Sequence, residues 1–247
     1  MAIYLKKFET MSQYNAYTAD TANFILPNVS LTVDNNTVHY NPSTPPTPSH
    51  DFVEIAGVKW ATINVGANSI TDTGLYFQWG DTQGYTAFQV GSGEGEKYFG
   101  ENDCIYYNDG SYTKYNEGDS KITLEASDDA VKAAWGGNWR MPTVSEFIAL
   151  GEAVTSAWTA DYQGSGVAGV VLTSNADGAT LFFPACGLAI WGSVDGVDEG
   201  LYWSSSLNGD YGDNNAYCLN FIDNDLIWQG NAPRYSGYPV RGVLAEN

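Results

Sequence analysis

The sequence predicts an α+β fold, built from antiparallel sheets with two helices in the middle of the chain. Short strand-like runs, bounded by Gly, Asn, Asp or Pro, lie in residues 52–64 and again in the last hundred residues. Between these regions, two segments open with helix-capping residues and carry apolar residues at helical spacing. We therefore expect a main domain in residues 51–247, preceded by a small module and a linker.

The N-terminal module spans residues 1–40, which are too few to bury a core of their own. Within it, NVSLTV and TVHY alternate like strands on either side of Asp34-Asn35-Asn36, which predicts a hairpin. A lone hairpin needs a partner surface, so we expect an attachment or oligomerisation module. The alternative is that the hairpin packs back on the main domain.

Residues 41–50, NPSTPPTPSH, contain four prolines and predict an extended linker. No apolar run near Met1 has the length of a signal peptide or membrane span. We therefore expect a protein made in the cytoplasm without a signal peptide and without membrane insertion.

Charge limits the partners of the protein. Residues 1–50 contain two Lys against three acidic residues, so residues 51–247 carry −18 of the formal net charge of −19. A nucleic-acid backbone or an anionic membrane requires clustered positive charge on its partner. The composition therefore argues against both kinds of partner.

The first half of the main domain should begin with strands. FVEIAG and VKWATINVG predict two strands joined at Ala56-Gly57, and GLYFQWGD at 74–81 predicts a third. Residues 84–121 are rich in Gly and have no regular period, so we expect a long loop insertion there.

Two helices should follow. SDDAVKAAWGG opens with acidic capping residues and stops at a double Gly. The second helix should begin at Thr143, which has capping-box spacing to Glu146, with Phe147, Leu150 and Val154 at helical intervals. The later strands are predicted from GVVLTS, ATLFFPACG, GLYWSSS, AYCLNF, DLIWQG and YPVRGV.

The residues used most often in catalysis are scarce. Cys104, Cys186 and Cys218 lack the spacing of a CxxC pair, so we interpret them as buried thiols, with a disulfide or metal role as the alternative. His39 and His50 both lie in the first 50 residues. Catalysis through a Ser-His or Cys-His pair is therefore not expected in the rest of the chain.

Six blocks carry a family resemblance, and they occur in a fixed order: GVKWATINVGAN at 57–68, FQWGDTQGY at 77–85, WGGNWRMPTVSEF at 135–147, LFFPACG at 181–187, GLYWSSS at 200–206 and GYPVRGV at 237–243. Together they resemble C-type-lectin-like domains of the FISUMP type, which are common in gut bacteria and their phages. Formylglycine-generating enzymes and the variable proteins of diversity-generating retroelements share that fold. The resemblance covers about residues 51–243 and implies a C-type-lectin-like fold.

The segment FILPNVSLTVDNNTVHYNP resembles leader segments of phage virion and tail-associated proteins.

Large side chains within these blocks have a structural explanation. Trp60, Trp79, Trp139 and Trp203 stand in apolar strings, where they should anchor the core. Arg140 and Arg241 should pair with a carboxylate or with backbone carbonyls rather than with a ligand.

The resemblance suggests two functions whose characteristic residue patterns are absent from this sequence. Formylglycine-generating enzymes work through a cysteine pair, whereas Cys186 and Cys218 lie in separate apolar runs, so we expect no enzyme and no cofactor. Calcium-dependent lectins use Glu-Pro-Asn or Gln-Pro-Asp together with Trp-Asn-Asp, and this sequence has none of these triplets. Asp223-Asn224-Asp225 offers oxygen ligands but is more typical of a turn, so we expect no metal.

A third function is indicated by residues 204–238, where Ser, Asn, Gly, Asp and Tyr fill 22 of 35 positions. Antibody combining sites have this mixture, because Tyr provides contact area and Asn and Ser provide adaptable hydrogen bonds. Adenine-directed mutagenesis of Asn codons would generate the same residues; the alternative is a static FISUMP-type loop. The predicted ligand-binding residues are Asn208, Asp210, Tyr211, Asp213, Asn214, Asn215, Tyr217, Asn220, Asp223, Asn224, Asp225, Asn231, Tyr235 and Ser236.

The sequence thus predicts a non-enzymatic receptor-binding protein with a variable surface, carried on a phage tail and diversified by a retroelement. Its partner would be a host cell-surface protein or glycan. Resemblance to phage tropism determinants favours a homotrimer. The alternatives are a static bacterial surface adhesin of the FISUMP type and, more remotely, a formylglycine-generating-type oxidase.

Overall fold

The computed structural model of the protein describes residues 29–34, 37–42, 50–223 and 225–246. The chain divides into two units, Met1–Ser49 and His50–Asn247. In the first unit, β1 (Val29–Asp34) and β2 (Thr37–Pro42) form the antiparallel hairpin that the sequence predicts. β2 includes the first two residues of the predicted linker. The rest of that linker, 43–49, and residues 1–28 of the module lie outside the described residues.

The second unit contains the helices α1 (Ala130–Trp135) and α2 (Val144–Ala153). Its strands, in chain order, are β3 (Phe52–Ile55), β4 (Val58–Asn64), β5 (Tyr107–Asn108), β6 (Ser111–Tyr112), β7 (Trp139–Arg140), β8 (Val154–Thr159), β9 (Gly169–Ser174), β10 (Thr180–Pro184), β11 (Leu188–Ile190), β12 (Ser193–Asp195), β13 (Glu199–Leu207), β14 (Asp210–Asp213), β15 (Asn215–Ile222), β16 (Asp225–Pro233) and β17 (Arg241–Leu244).

These strands pair antiparallel in every sheet of the described residues. One sheet has the order β3-β4-β17-β7, a second β13-β15-β16, and a third β10-β9-β8, while β5-β6 and β11-β12 are separate hairpins. The fold is therefore α+β, mostly antiparallel sheet with two helices, as the sequence predicts.

The first strand pair confirms one prediction, and the segment after it corrects another. β3 and β4 are joined at Ala56-Gly57, and both residues have positive φ, as a tight two-residue hairpin turn requires. GLYFQWGD, by contrast, is not a regular strand. Phe77 N and Trp79 N donate to carbonyl oxygens of residues 238 and 234, which belong to the irregular stretch before β17. Strand prediction was wrong here because the partners of this segment are not strands.

Residues 84–121 are largely irregular, as predicted, and contain two single 3₁₀ turns besides β5 and β6. The segment is nevertheless more than a surface insertion, because Phe99, Cys104, Tyr112 and Tyr115 are buried. Their burial makes the segment part of the core, which its irregular sequence pattern concealed.

Both predicted helices are present. Asp129 caps α1 by accepting a hydrogen bond from Lys132 N, and Thr143 forms the predicted capping box with Glu146 at the start of α2. The helix α2 ends one residue earlier than the apolar spacing suggested, since Val154 begins β8 and pairs with β9. Tertiary pairing overrides the local helical period at this point.

The sheet β13-β15-β16 separates two hydrophobic cores. Trp79, Trp139 and Trp203 lie in one core, and Trp60 lies in the other. All four are at most 2% exposed, which confirms their structural role.

No helix in the described part of the chain is long and apolar enough to span a membrane.

Candidate functional site

The predicted binding residues lie on or next to β14, β15 and β16, but the structure does not bring them to one surface. β15 is eight residues long, so its two ends are about 23 Å apart at the usual rise per residue. One group lies where β15 begins, beside β14 and the end of β16. The other group lies near the turn between β15 and β16.

The two groups also differ in the face of the sheet that they occupy. Along β15, Cys218 points into one core, whereas Leu219 points into the other. Because side chains alternate in a strand, Tyr217 shares the face of Leu219, and Asn220 shares the face of Cys218. Asn231 is the cross-strand partner of Tyr217 and therefore lies beside it.

The first group consists of exposed or half-buried polar side chains, which we call the β14 patch: Asp210, Asp213, Asn214, Asn215, Tyr217 and Asn231. Tyr211 also belongs to β14, but its side chain lies outside the described part of the structure. This patch contains more of the predicted residues than the second group.

Hydrogen bonds hold the β14 patch in shape. The Asn215 side chain donates to Asn231 Oδ1 at 2.8 Å across the strand pair. Asn208 N donates to Asn215 O at 3.0 Å, and Asn208 Oδ1 accepts from Asp210 N at 3.1 Å. Asn208 itself is only 2% exposed, so its place is in the frame beneath the patch rather than on the binding surface.

Arg234 anchors the same patch, and sequence reasoning did not single it out. Its guanidinium donates to Asp213 O at 3.0 Å, and to Tyr115 O and Lys114 O at 3.1 Å each. The guanidinium carbon lies 3.8 Å from the centre of the Tyr112 ring. Arg234 therefore ties β14 to the irregular segment 84–121. The available signal was an arginine within a polar, acidic run that contains no other cation.

The second group lies around the β15–β16 turn. Asn220, Asp223 and Asp225 are exposed or half-buried there, and Asn224 lies outside the described residues. Two exposed isoleucines, Ile222 and Ile227, accompany them. The turn region is therefore more apolar than the β14 patch.

The last two predicted residues lie in the turn between β16 and β17. Ser236 is fully buried, which leaves no side-chain surface for a ligand. Tyr235 is half-buried, and its carbonyl accepts a hydrogen bond from Gln78 at 3.0 Å. These two residues do not extend the β14 patch.

The C-terminal surface is strongly negative. Between residues 186 and 246 the cations are Arg234 and Arg241, and both are fully buried. Exposed charge in this stretch therefore comes from carboxylates, including Asp210 in the β14 patch and Asp225 near the turn. A partner with positive charge would be attracted to this surface.

The three thiols lie inside the protein as free cysteines. Cys186 and Cys218 belong to different cores, on opposite sides of the sheet β13-β15-β16. Burial raises the pKa of Cys218 to about 12 and that of Cys104 to about 11. Burial also raises the pKa of Cys186, whose sulfur lies 3.3 Å from the Tyr202 hydroxyl. Their burial confirms the interpretation as structural thiols.

Within residues 50–223 and 225–246, no three His, Cys, Asp or Glu side chains are grouped as a metal site would need. The chain matches no protein-family model, no curated protein and no solved structure. Support for a function therefore comes from the geometry of the chain and from its sequence blocks.

Proposed function

We propose that the protein is a non-enzymatic receptor-binding protein, which presents the β14 patch on a C-type-lectin-like scaffold. The observation that carries the proposal is a set of exposed or half-buried Asn, Asp and Tyr side chains on a frame of strands, which hydrogen bonds at Asn215 and Asn208 hold together. Such side chains form combining sites because they offer many hydrogen bonds and an aromatic anchor at low entropic cost.

Two further features support this scaffold and this role. The six ordered sequence blocks resemble C-type-lectin-like domains, and the α+β architecture is compatible with that resemblance. Cys186 and Cys218 lie in separate cores, and burial raises the pKa of both, which disfavours the thiolate chemistry of a formylglycine-generating-type oxidase.

The proposed partner is a host cell-surface protein or glycan, and we place the protein on a phage tail as a homotrimer. Retroelement diversification of the C-terminal segment is part of this proposal. A reverse transcriptase gene nearby, together with a near-repeat of the codons for about residues 200–243, would support diversification. Neighbouring cell-wall genes without these elements would instead favour a static bacterial adhesin.

The binding role can be tested by capture from bacterial envelopes with matched variants. Tyr217→Ala and Asn231→Ala alter the β14 patch, whereas Asp225→Asn and Ile227→Ala alter the opposite face near the turn. We expect the Tyr217 variant to lose at least about 30-fold in affinity, the size of a binding hot spot of about 2 kcal/mol. The turn variants should bind like the wild type.

Stability measurements separate binding from folding. Substitutions of surface side chains change stability by about 0.5 kcal/mol or less. If Tyr217→Ala instead loses several kcal/mol, the side chain is a core residue and the binding surface lies elsewhere. If the turn variants lose binding and the patch variants do not, the proposed site is wrong.

A further inference from the structure

A second surface feature lies outside the predicted binding residues, at the tip of the hairpin β11–β12. Trp191 is 61% exposed, whereas the chain's other seven tryptophans are buried or half-buried. Tyr98, whose carbonyl accepts a hydrogen bond from Gly192 N, is exposed as well. The rings of Trp191 and Tyr98 are therefore both exposed to water. The hydrogen bond from Gly192 N to Tyr98 O joins the two segments that carry them.

The backbone at Trp191 is strained. Trp191 and Gly192 form the two-residue turn between Ile190 and Ser193, and their φ values are +49° and +77°. Asn-Gly is the favoured pair for a turn with two positive φ values, whereas a bulky residue in the left-handed region is rare and costs energy. A tryptophan at this position therefore does not favour the folded state. Its backbone adopts a costly conformation, and its ring stays exposed to water.

The turn is nevertheless held firmly in place. Trp191 N donates to Phe99 O at 3.3 Å, which adds to the contact made by Gly192. A Cβ on Gly192 would lie 3.0 Å from the carbonyl carbon of Gly91, so the hairpin packs closely on the loop 91–97. Strained residues that the surrounding structure holds in place are typical of ligand-contacting positions.

The charge around the turn is negative. Glu94, Glu96 and Asp195 are exposed on the loop 91–97 and on β12. Glu96 is held within its loop, because its carboxylate accepts a hydrogen bond from Gly93 N at 2.8 Å.

The cation of this loop, Lys97, does not offset that charge at the surface. Its side chain is 11% exposed, and its ammonium group pairs with Asp103 at 3.2 Å. An incoming positive group would therefore meet exposed carboxylates on β12 and on the loop that packs against the Trp191-Gly192 turn.

We infer that Trp191 is a contact site for a positively charged side chain of a partner protein, a guanidinium group above all. The face of an indole ring attracts cations, and neighbouring carboxylates strengthen the attraction. A partner with an exposed basic segment fits this surface. The site is distinct from the β14 patch and does not depend on the function proposed for it.

The experiment uses the full chain and two peptides of equal length, both acetylated and amidated. One is Gly-Arg-Gly-Arg-Gly, and in the other citrulline replaces each arginine, which keeps the shape but removes the charge. Trp191→Asn removes the ring and supplies the residue that the turn favours. Val197→Asn, at an exposed apolar position in the next turn, is the matched control.

We expect the arginine peptide to bind the Trp191→Asn variant about two- to five-fold more weakly than the wild type, the range of an exposed cation–π contact. Val197→Asn should bind like the wild type, and the citrulline peptide should not distinguish the variants. Bound arginine peptide should also protect wild-type fluorescence from acrylamide. Trp191→Asn should unfold at the same urea concentration as the wild type or at a higher one, because the strain is removed.

Three results would overturn the inference. Equal binding of the arginine peptide to wild type and Trp191→Asn would show that general acidity explains the attraction. A methyl glycoside that protects Trp191 from acrylamide when the peptide does not would show a sugar platform instead. A marked loss of stability in Trp191→Asn would show that the ring is needed for packing. Each result can be obtained whether or not the β14 patch binds its partner.

Discussion

At the scale of single residues, the three arginines show how burial determines the partner of a charge. Arg140, partly exposed, forms a two-point ion pair with Glu146 at 2.6 and 2.8 Å. Arg241, fully buried, donates to Asn64 and to the carbonyls of Ala61 and Phe182. These pairings confirm the predictions for both residues. Arg234 uses carbonyl oxygens in the same way.

Removing the Arg234 guanidinium should therefore be costly. We expect Arg234→Met to lower the free energy of unfolding by about 3 kcal/mol, because buried carbonyls lose their donor. Arg140→Met is the matched control and should cost less, about 1 to 2 kcal/mol, because the Arg140 side chain is partly in solvent and Glu146 keeps its hydrogen bonds from Thr143. Urea unfolding of both variants tests this difference. Equal losses would show that Arg234 does not anchor β14.

The carboxylate of Glu146 should contribute to stability in a pH-dependent way. Burial disfavours its charged form, but hydrogen bonds from Arg140 and Thr143 outweigh burial and lower its pKa. A lowered pKa stabilises the folded state above the unfolded value of about 4.3, and this contribution disappears as the pH falls through the folded pKa. Glu146→Gln should thus be less stable than the wild type at pH 7, with the difference shrinking near pH 3. A difference that stays constant in urea unfolding would contradict this.

At the scale of elements, close packing of α2 on β16 shows why a helix can require glycine. Gly151 lies in the middle of α2, where alanine would ordinarily be favoured by about 1 kcal/mol. A Cβ at this position would lie 2.6 Å from atoms of the Trp228 indole ring. The helix therefore approaches the sheet more closely than any side chain at 151 would allow.

We expect Gly151→Ala to destabilise the protein by about 1 kcal/mol, because overpacking exceeds the gain in helix propensity. In a Trp228→Leu background the same change should stabilise the protein, since the clash is relieved. Urea unfolding of the single and double variants completes the cycle. If Gly151→Ala stabilises both backgrounds, the close approach is not a constraint in solution.

Within the strands, local sequence patterns predicted turns and strand pairing better than they predicted which face of the sheet each side chain occupies. The turn residues at Ala56-Gly57 and the capping box at Thr143 were read correctly because each signal depends on neighbours in the chain. The sequence pattern did not show which polar residues of β15 lie on which face of the sheet. Both faces of this strand carry core residues, so its sequence shows no simple alternation of polar and apolar positions.

At the scale of the whole molecule, the two units differ in what they can bury. The first unit contributes the hairpin β1–β2, whereas the second contains two large hydrophobic cores and a smaller cluster around Phe99, and carries nearly all the net charge. An isolated two-stranded hairpin is marginally stable in water. Association of several N-terminal units would provide the missing surface.

We therefore expect the full chain to scatter light with three times its monomer mass of 26.8 kDa. A shortened chain, residues 50–247, should remain folded and monomeric, because it contains every described residue of the hydrophobic clusters. A monomeric full chain would contradict the proposed trimer. A trimeric shortened chain would move the association surface to the second unit.

The amino-acid sequence alone was enough for the α+β class, the two capped helices, the buried tryptophans and the buried thiols. Each of these follows from composition or from residues close together in the chain. Three features required the folded chain: the irregular path of GLYFQWGD, the anchoring of β14 by Arg234, and the division of the predicted binding residues between two faces. They depend on partners that are distant in the chain, such as Lys114 and Tyr115 for Arg234, or on which core a strand face meets, and neither leaves a periodic trace in the sequence.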